Sequence, residues 1–74
     1  MLIKYGTKFC GDCRRLGAIL DKLNIEYLDI NVDENIAKEL DITTIPVLIK
    51  YENNKEVDRL IGLKSINLIK EFVK

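Results

Sequence analysis

No histidine occurs anywhere in these 74 residues, and only two cysteines do. A closed structural zinc site takes four Cys or His ligands, so one copy of the chain cannot complete it and two copies would have to share the ion. Net charge at neutral pH is zero, with basic and acidic residues in equal number. No basic field is present to draw in nucleic acid or an anionic membrane, and neither is expected as a partner. Long apolar runs are missing too, and the few-residue runs present fall far short of the roughly 20 residues a membrane-spanning helix needs. The opening residues, MLIKYG, carry neither the apolar segment nor the cleavage site of a secretory signal. The chain therefore reads as cytoplasmic, where thiols are kept reduced and a close cysteine pair is more often catalytic or metal-binding than structural. Its 47% hydrophobic and 32% charged residues are an ordinary globular balance, not that of a disordered chain. The length suits one domain over residues 1–74, near the lower limit for folding on its own core.

What is present is a regular alternation of apolar patterns. LIKY (2–5) suits a short buried strand, ended by Gly6 and Thr7. Leu16, Ile19, Leu20 and Leu23 fall at i, i+3, i+4, i+7 and predict a helix that stops near Asn24. EYLDINV (26–32) alternates, with Leu28, Ile30 and Val32 on one side and Tyr27, Asp29 and Asn31 on the other, as a strand does. Residues 33–42 read as a helix capped by Asp33, with Ile36, Ala37 and Leu40 inward. TTIPVLIKY (43–51) is a β-branched strand with Pro46 at its start, where proline costs no ladder hydrogen bond. ENNKE (52–56) is a hairpin turn, VDRLI (57–61) the returning strand, and Gly62 a break. Ser65 can cap a last helix with Ile66, Ile69, Phe72 and Val73 on one face. The order β-α-β-α-β-β-α makes the first two strands parallel neighbours and the last two an antiparallel hairpin. The fold class is α/β: a four-stranded mixed sheet flanked by three helices.

Both cysteines lie in KFCGDCRRL (8–16), separated by Gly11 and Asp12. A shared zinc site and a structural disulfide are two uses of such a pair. The first needs a second chain, and a bridge closing so short a loop gains little by restricting the unfolded chain. The third use, a redox couple, needs a nucleophilic thiolate, a second thiol within reach and a rigid mount. Cys10 falls where the first strand turns into the helix, so the helix N-terminus should favour its thiolate. Cys13 lies one helical turn on, placed to attack a mixed disulfide formed at Cys10. Lys8, Arg14 and Arg15 add positive charge nearby, while Asp12 opposes part of it. Phe9 reads equally as core or as an exposed apolar rim for a partner protein. A CxxC beside a βαβ pattern favours the redox use.

From Cys10-Gly11-Asp12-Cys13, Thr44-Ile45-Pro46 and Gly62, the chain resembles the thioredoxin superfamily over nearly its whole length. IKYGTKFCGDC and IEYLDINVDEN look most like a glutaredoxin, and LDITTIPVLIKYENNKEVDRLIG looks like a thioredoxin. The resemblance implies a thioredoxin fold, a cis Ile45–Pro46 peptide, Cys10 as attacking and Cys13 as resolving cysteine, and Ile45 as a backbone docking point. Departures are visible. Phe9 stands where thioredoxins carry tryptophan, Asp12 where they carry proline, and Lys4 where they carry a buried carboxylate. Thr7 stands where glutaredoxins place a glutathione-binding lysine, and Gly62 is followed by Leu63, not by a second glycine and an acidic residue. Glutathione binding is therefore expected to be weak or absent, as in the small glutaredoxin-like hydrogen donors of ribonucleotide reductase, which this chain resembles in size.

The expected protein is a monomeric dithiol–disulfide oxidoreductase, an electron carrier that reduces disulfide-containing client proteins and is recharged by a thioredoxin-reductase-like enzyme. Cys10 and Cys13 carry the chemistry, and Phe9, Gly11, Asp12, Thr44, Ile45, Pro46 and Gly62 contact the client. No metal and no organic cofactor is implied. A glutathione-dependent glutaredoxin, a metal- or cluster-bridged dimer and a non-catalytic binding module are the alternatives.

Overall fold

Apolar periodicity becomes packing in the computed structural model, which describes all residues from Met1 to Lys74. The elements are β1 (Leu2–Gly6), α1 (Gly11–Lys22), β2 (Leu28–Asn31), α2 (Glu34–Leu40), β3 (Val47–Glu52), β4 (Lys55–Ile61) and α3 (Ile66–Val73). The sheet runs in the order β2-β1-β3-β4. β1 pairs parallel with β2 and antiparallel with β3, and β3 pairs antiparallel with β4. The element order and the mixed four-stranded sheet are those expected from the sequence.

Strand alternation divides the core in two. Leu48 of β3 packs with Leu16 and Leu20 of α1 and Ile69 and Phe72 of α3. Val47 and Ile49, its neighbours on the strand, point the other way and pack with Tyr5 and Ile42, covered by Ile36, Ala37 and Leu40 of α2. α1 and α3 thus cover one face of the sheet and α2 the other. Leu48 has no exposed surface and sits on a central strand. Leu48→Ala is expected to cost about 2–5 kcal/mol, lost contacts plus the cavity left behind. A lower urea midpoint with unchanged slope is the expected reading.

The caps are local. Asp33 Oδ1 accepts the Ile36 N–H at 2.8 Å and Ser65 Oγ accepts the Leu68 N–H at 3.3 Å, each occupying an otherwise unpaired donor of a helix N-terminus. Asn53 and Asn54, both at positive φ (54° and 65°), make the two-residue turn between Glu52 and Lys55. Asparagine tolerates that region, and such a turn matches the twist of the strands it joins.

Several boundaries differ from the sequence expectation. β1 continues through Gly6, and β2 spans only Leu28–Asn31. β2 is an edge strand, so its expected apolar side is incompletely covered, and Leu28 remains 51% exposed. Ile66, in the first turn of α3, is also exposed, while Ile69 and Phe72 carry the buried face. No helix is long and apolar enough to cross a membrane.

Candidate active site

One end of the sheet gathers the residues that matter. Tyr5 pairs with Val47 and Val47 with Ile61, so the ends of β1, β3 and β4 lie side by side there. Gly62, just past β4, donates its N–H to the Pro46 carbonyl at 2.7 Å and adopts φ 83°, a region open to glycine. The Ile45–Pro46 peptide is cis. β1 leads through Thr7, Lys8 and Phe9 into α1, whose N-cap is Cys10. The two sulfurs are joined as the Cys10–Cys13 disulfide.

The two cysteines differ in access. Cys10 is half-buried, whereas Cys13, on the inner face of α1, is 1% exposed. The Cys13 N–H donates to Cys10 Sγ at 3.1 Å, so a backbone donor of the first helical turn addresses the outer sulfur. Gly6 makes the inner position possible. A Cβ placed there would lie 2.6 Å from Cys13 Sγ and 3.0 Å from Cys13 Cβ. The strand backbone therefore approaches the inner thiol as closely as only glycine allows.

Lys4 is the unexpected member. Alternation along β1 puts Lys4 and Gly6 on the α1 side of the sheet, opposite Leu48. The Lys4 side chain is 7% exposed. Its Nζ donates to the Cys13 carbonyl at 2.9 Å and lies 3.4 Å from Asp29 Oδ2, on the paired residue of β2. Gly17, one turn along α1, leaves the room: a Cβ there would come within 3.2 Å of Lys4 Nζ and 3.3 Å of the Tyr27 hydroxyl. That hydroxyl stands 3.4 Å from the Gly17 carbonyl and 3.2 Å from Asp21 Oδ1. Burial first, and the Asp21 charge second, push it above the ordinary tyrosine range, so it serves as a neutral donor.

The remaining residues singled out in the sequence form a graded set. Phe9 is 91% exposed, which makes it rim and not core. Gly11, Asp12 and Thr44 are exposed, Ile45 is half-buried and Pro46 is buried. Asp12 is paired with Arg15 at 2.9 Å on the open face of α1, so their charges offset each other. Lys8 and Arg14 line a polar cavity of about 370 Å³ together with Lys4 and Asp29. Nowhere do three or more Cys, Asp or Glu side chains gather in a metal-binding arrangement. Sequence reasoning set Lys4 at the family's carboxylate position but did not foresee its partners, and it missed the roles of Gly6 and Gly17. The available signal was a lysine inside an apolar run two residues before a glycine, and a glycine on the inner face of a helix.

The family model described as Thioredoxin matches residues 1–74. A thioredoxin of Chlamydia pneumoniae is 36% identical over 80 residues, covering 99% of this chain and 74% of the relative. Thioredoxin H2 of Arabidopsis thaliana is 31% identical over 81 residues, and the chain spans 61% of that relative's length. Among solved structures, mitochondrial thioredoxin 3 from Saccharomyces cerevisiae in its oxidised form superposes with a TM-score of 0.80 at 23% identity, covering 97% of this chain and 74% of that one. That likeness speaks for the fold, and the sequence matches speak for more: the chain belongs to the thioredoxin family and is a dithiol–disulfide oxidoreductase.

Proposed function

We propose that the chain is a protein-disulfide reductant in which Cys10 attacks and Cys13 resolves. The observation that carries this reading is the difference in access: an outer, half-exposed sulfur at a helix N-terminus and an inner sulfur that is 1% exposed. Cys10, as thiolate, attacks one sulfur of the client disulfide and the other client sulfur leaves with the electron pair. Cys13 then attacks Cys10 Sγ, the mixed disulfide breaks, and the Cys10–Cys13 bond closes. The client gains two electrons and the pair is oxidised.

Client contact falls to the rim made by Phe9, Gly11, Asp12, Thr44, Ile45 and Gly62, while Pro46, expected from the sequence to join it, is buried and contributes only the cis bond that sets the Ile45 backbone. A fully exposed phenylalanine beside a reactive thiol supports contact with a protein surface rather than with a small polar thiol. Ser65 is already the cap of α3, its hydroxyl bound to the Leu68 N–H. Its oxygen already accepts within the helix, which leaves it less to offer a small thiol such as glutathione. We place the reaction in the cytoplasm, with the protein a single-domain monomer recharged by a thioredoxin-reductase-like enzyme. Ribonucleotide reductase is a candidate client.

The test compares electron donors. Oxidised protein is mixed with NADPH and a thioredoxin reductase, or with reduced glutathione, and thiol formation is followed. Rapid reduction by the first and slow reduction by the second is expected. The opposite ranking makes the protein a glutathione-dependent glutaredoxin.

A further inference from the structure

A charged lysine buried behind a disulfide calls for a physical reason. Removing an ammonium from water costs several kcal/mol unless it is well paired. Lys4 has one carbonyl at 2.9 Å and one carboxylate at 3.4 Å, and that carboxylate, Asp29, is itself 61% exposed. The helix also gives way for it. Glycine inside a helix costs roughly 0.5–1 kcal/mol against alanine, yet Gly17 stands on the inner face of α1, where a methyl group would press on Lys4 Nζ. The carbonyl that receives the ammonium belongs to Cys13 and to no other residue. Lys4 and Gly6, two residues apart on one side of β1, thus meet the backbone and the sulfur of the same cysteine.

We propose that Lys4 is a positioning residue for the inner thiol, a fixed positive charge that favours the thiolate of Cys13 in the reduced pair. An opposite charge close to an acid favours its ionised form. The other charged groups around this end are accounted for. Asp29 comes from β2 and partly offsets Lys4, while Lys8 and Arg14 line the same cavity and add to it. Asp12 and Arg15 pair with each other in the open, and Asp21 is engaged by Tyr27. β3 meets this end of the helix with Leu48, and its Lys50, two residues on along the same face, lies at the other end of the sheet over the Phe72 ring, 5.1 Å from the centroid. Lys4, Lys8 and Arg14 outnumber Asp29 in this cavity, and of them Lys4 touches Cys13 itself, through its carbonyl.

The consequence concerns the second step of the reaction proposed above, on which the role rests. Cys13 must attack as thiolate: its S–H proton passes to solvent, its sulfur forms the bond to Cys10 Sγ, and the client sulfur leaves with the electron pair. A standing positive charge raises the thiolate fraction before the attack, so the chain can resolve a mixed disulfide with lysine in place of a carboxylate proton acceptor.

The test is the pH profile of Cys13 alkylation in a Cys10→Ser background, where a single thiol reacts. It reads the acidity of Cys13 whether or not Cys13 resolves mixed disulfides, so failure here is distinct from failure of the proposed function. Lys4→Gln keeps a donor for the Cys13 carbonyl but removes the charge. Its expected effect is a midpoint about one pH unit higher, a roughly tenfold loss of thiolate at neutral pH. Lys4→Arg is expected to hold the midpoint near that of the parent. Asp29→Asn, an exposed change, is expected to move it down, and it decides the matter should Lys4→Gln fail to fold. A folded Lys4→Gln with the parent's midpoint, or an Asp29→Asn that leaves it in place, overturns the proposal and leaves Lys4 a structural tie.

Discussion

Cys13→Ser is expected to turn the protein into a trap. The variant keeps the outer sulfur at the helix N-terminus, and with it the attack on a client disulfide. It lacks the inner thiol that would release the product, so the mixed disulfide at Cys10 should persist. Cys10→Ser removes the accessible sulfur and leaves one that is 1% exposed beneath α1, so neither adduct nor turnover is expected. Mass spectrometry after incubation with an excess of a disulfide-containing protein separates the two cases. A stable adduct on Cys10 in the first variant, none in the second, and no multiple turnover in either is the expected pattern. An adduct at Cys13 in the Cys10→Ser variant would reverse the assignment of attacking and resolving thiol.

The second large effect is steric. Gly6→Ala places a methyl group 2.6 Å from Cys13 Sγ, a separation real side chains do not adopt, so strand or helix must move. Overpacking of this kind typically costs about 1–3 kcal/mol, and here the displaced group is the inner sulfur itself. The variant is expected to lose thermal stability and to close the Cys10–Cys13 bond more slowly. Gly11→Ala is the control. Nothing lies within 4 Å of a Cβ at that position and its φ is not in the left-handed region, so its stability should be unchanged or slightly raised. Thermal unfolding of both oxidised variants, with reoxidation rates of the reduced ones, compares them. Equal behaviour of the two would mean that the close approach of β1 to Cys13 is not needed.

Much of this fold is legible along the chain because its signals are local. Leu16 and Leu20 mark the buried stripe of α1 by spacing alone, Asp33 and Ser65 sit where caps belong, and Asn53-Asn54 is a turn in itself. The cysteine spacing is local as well, so the pair and its mount at a strand-to-helix turn could be read directly. What could not be read depends on neighbours distant in sequence. Leu28 alternates correctly, but its exposure follows from β2 being an edge. Lys4 looks like a polar interruption in LIKY. Its burial depends on Asp29 arriving from β2, on the Cys13 carbonyl overhead and on the space left by Gly17. Gly6 looks like a strand breaker but is the last residue of β1, kept small by a sulfur seven positions on. A pattern shows which face a residue takes, not what meets it there.

The most direct measurement of the redox role is a single-turnover balance of thiols. Fully reduced protein is mixed with a protein carrying one accessible disulfide, the reaction is quenched with acid and alkylating reagent, and both partners are weighed by mass spectrometry. A Cys10–Cys13 pair that works as a dithiol reductant predicts one intramolecular disulfide formed for every client disulfide opened, with no lasting adduct. Client disulfides left intact while both cysteines stay alkylated, or oxidation that ends only in dimers linked through Cys10, would contradict it.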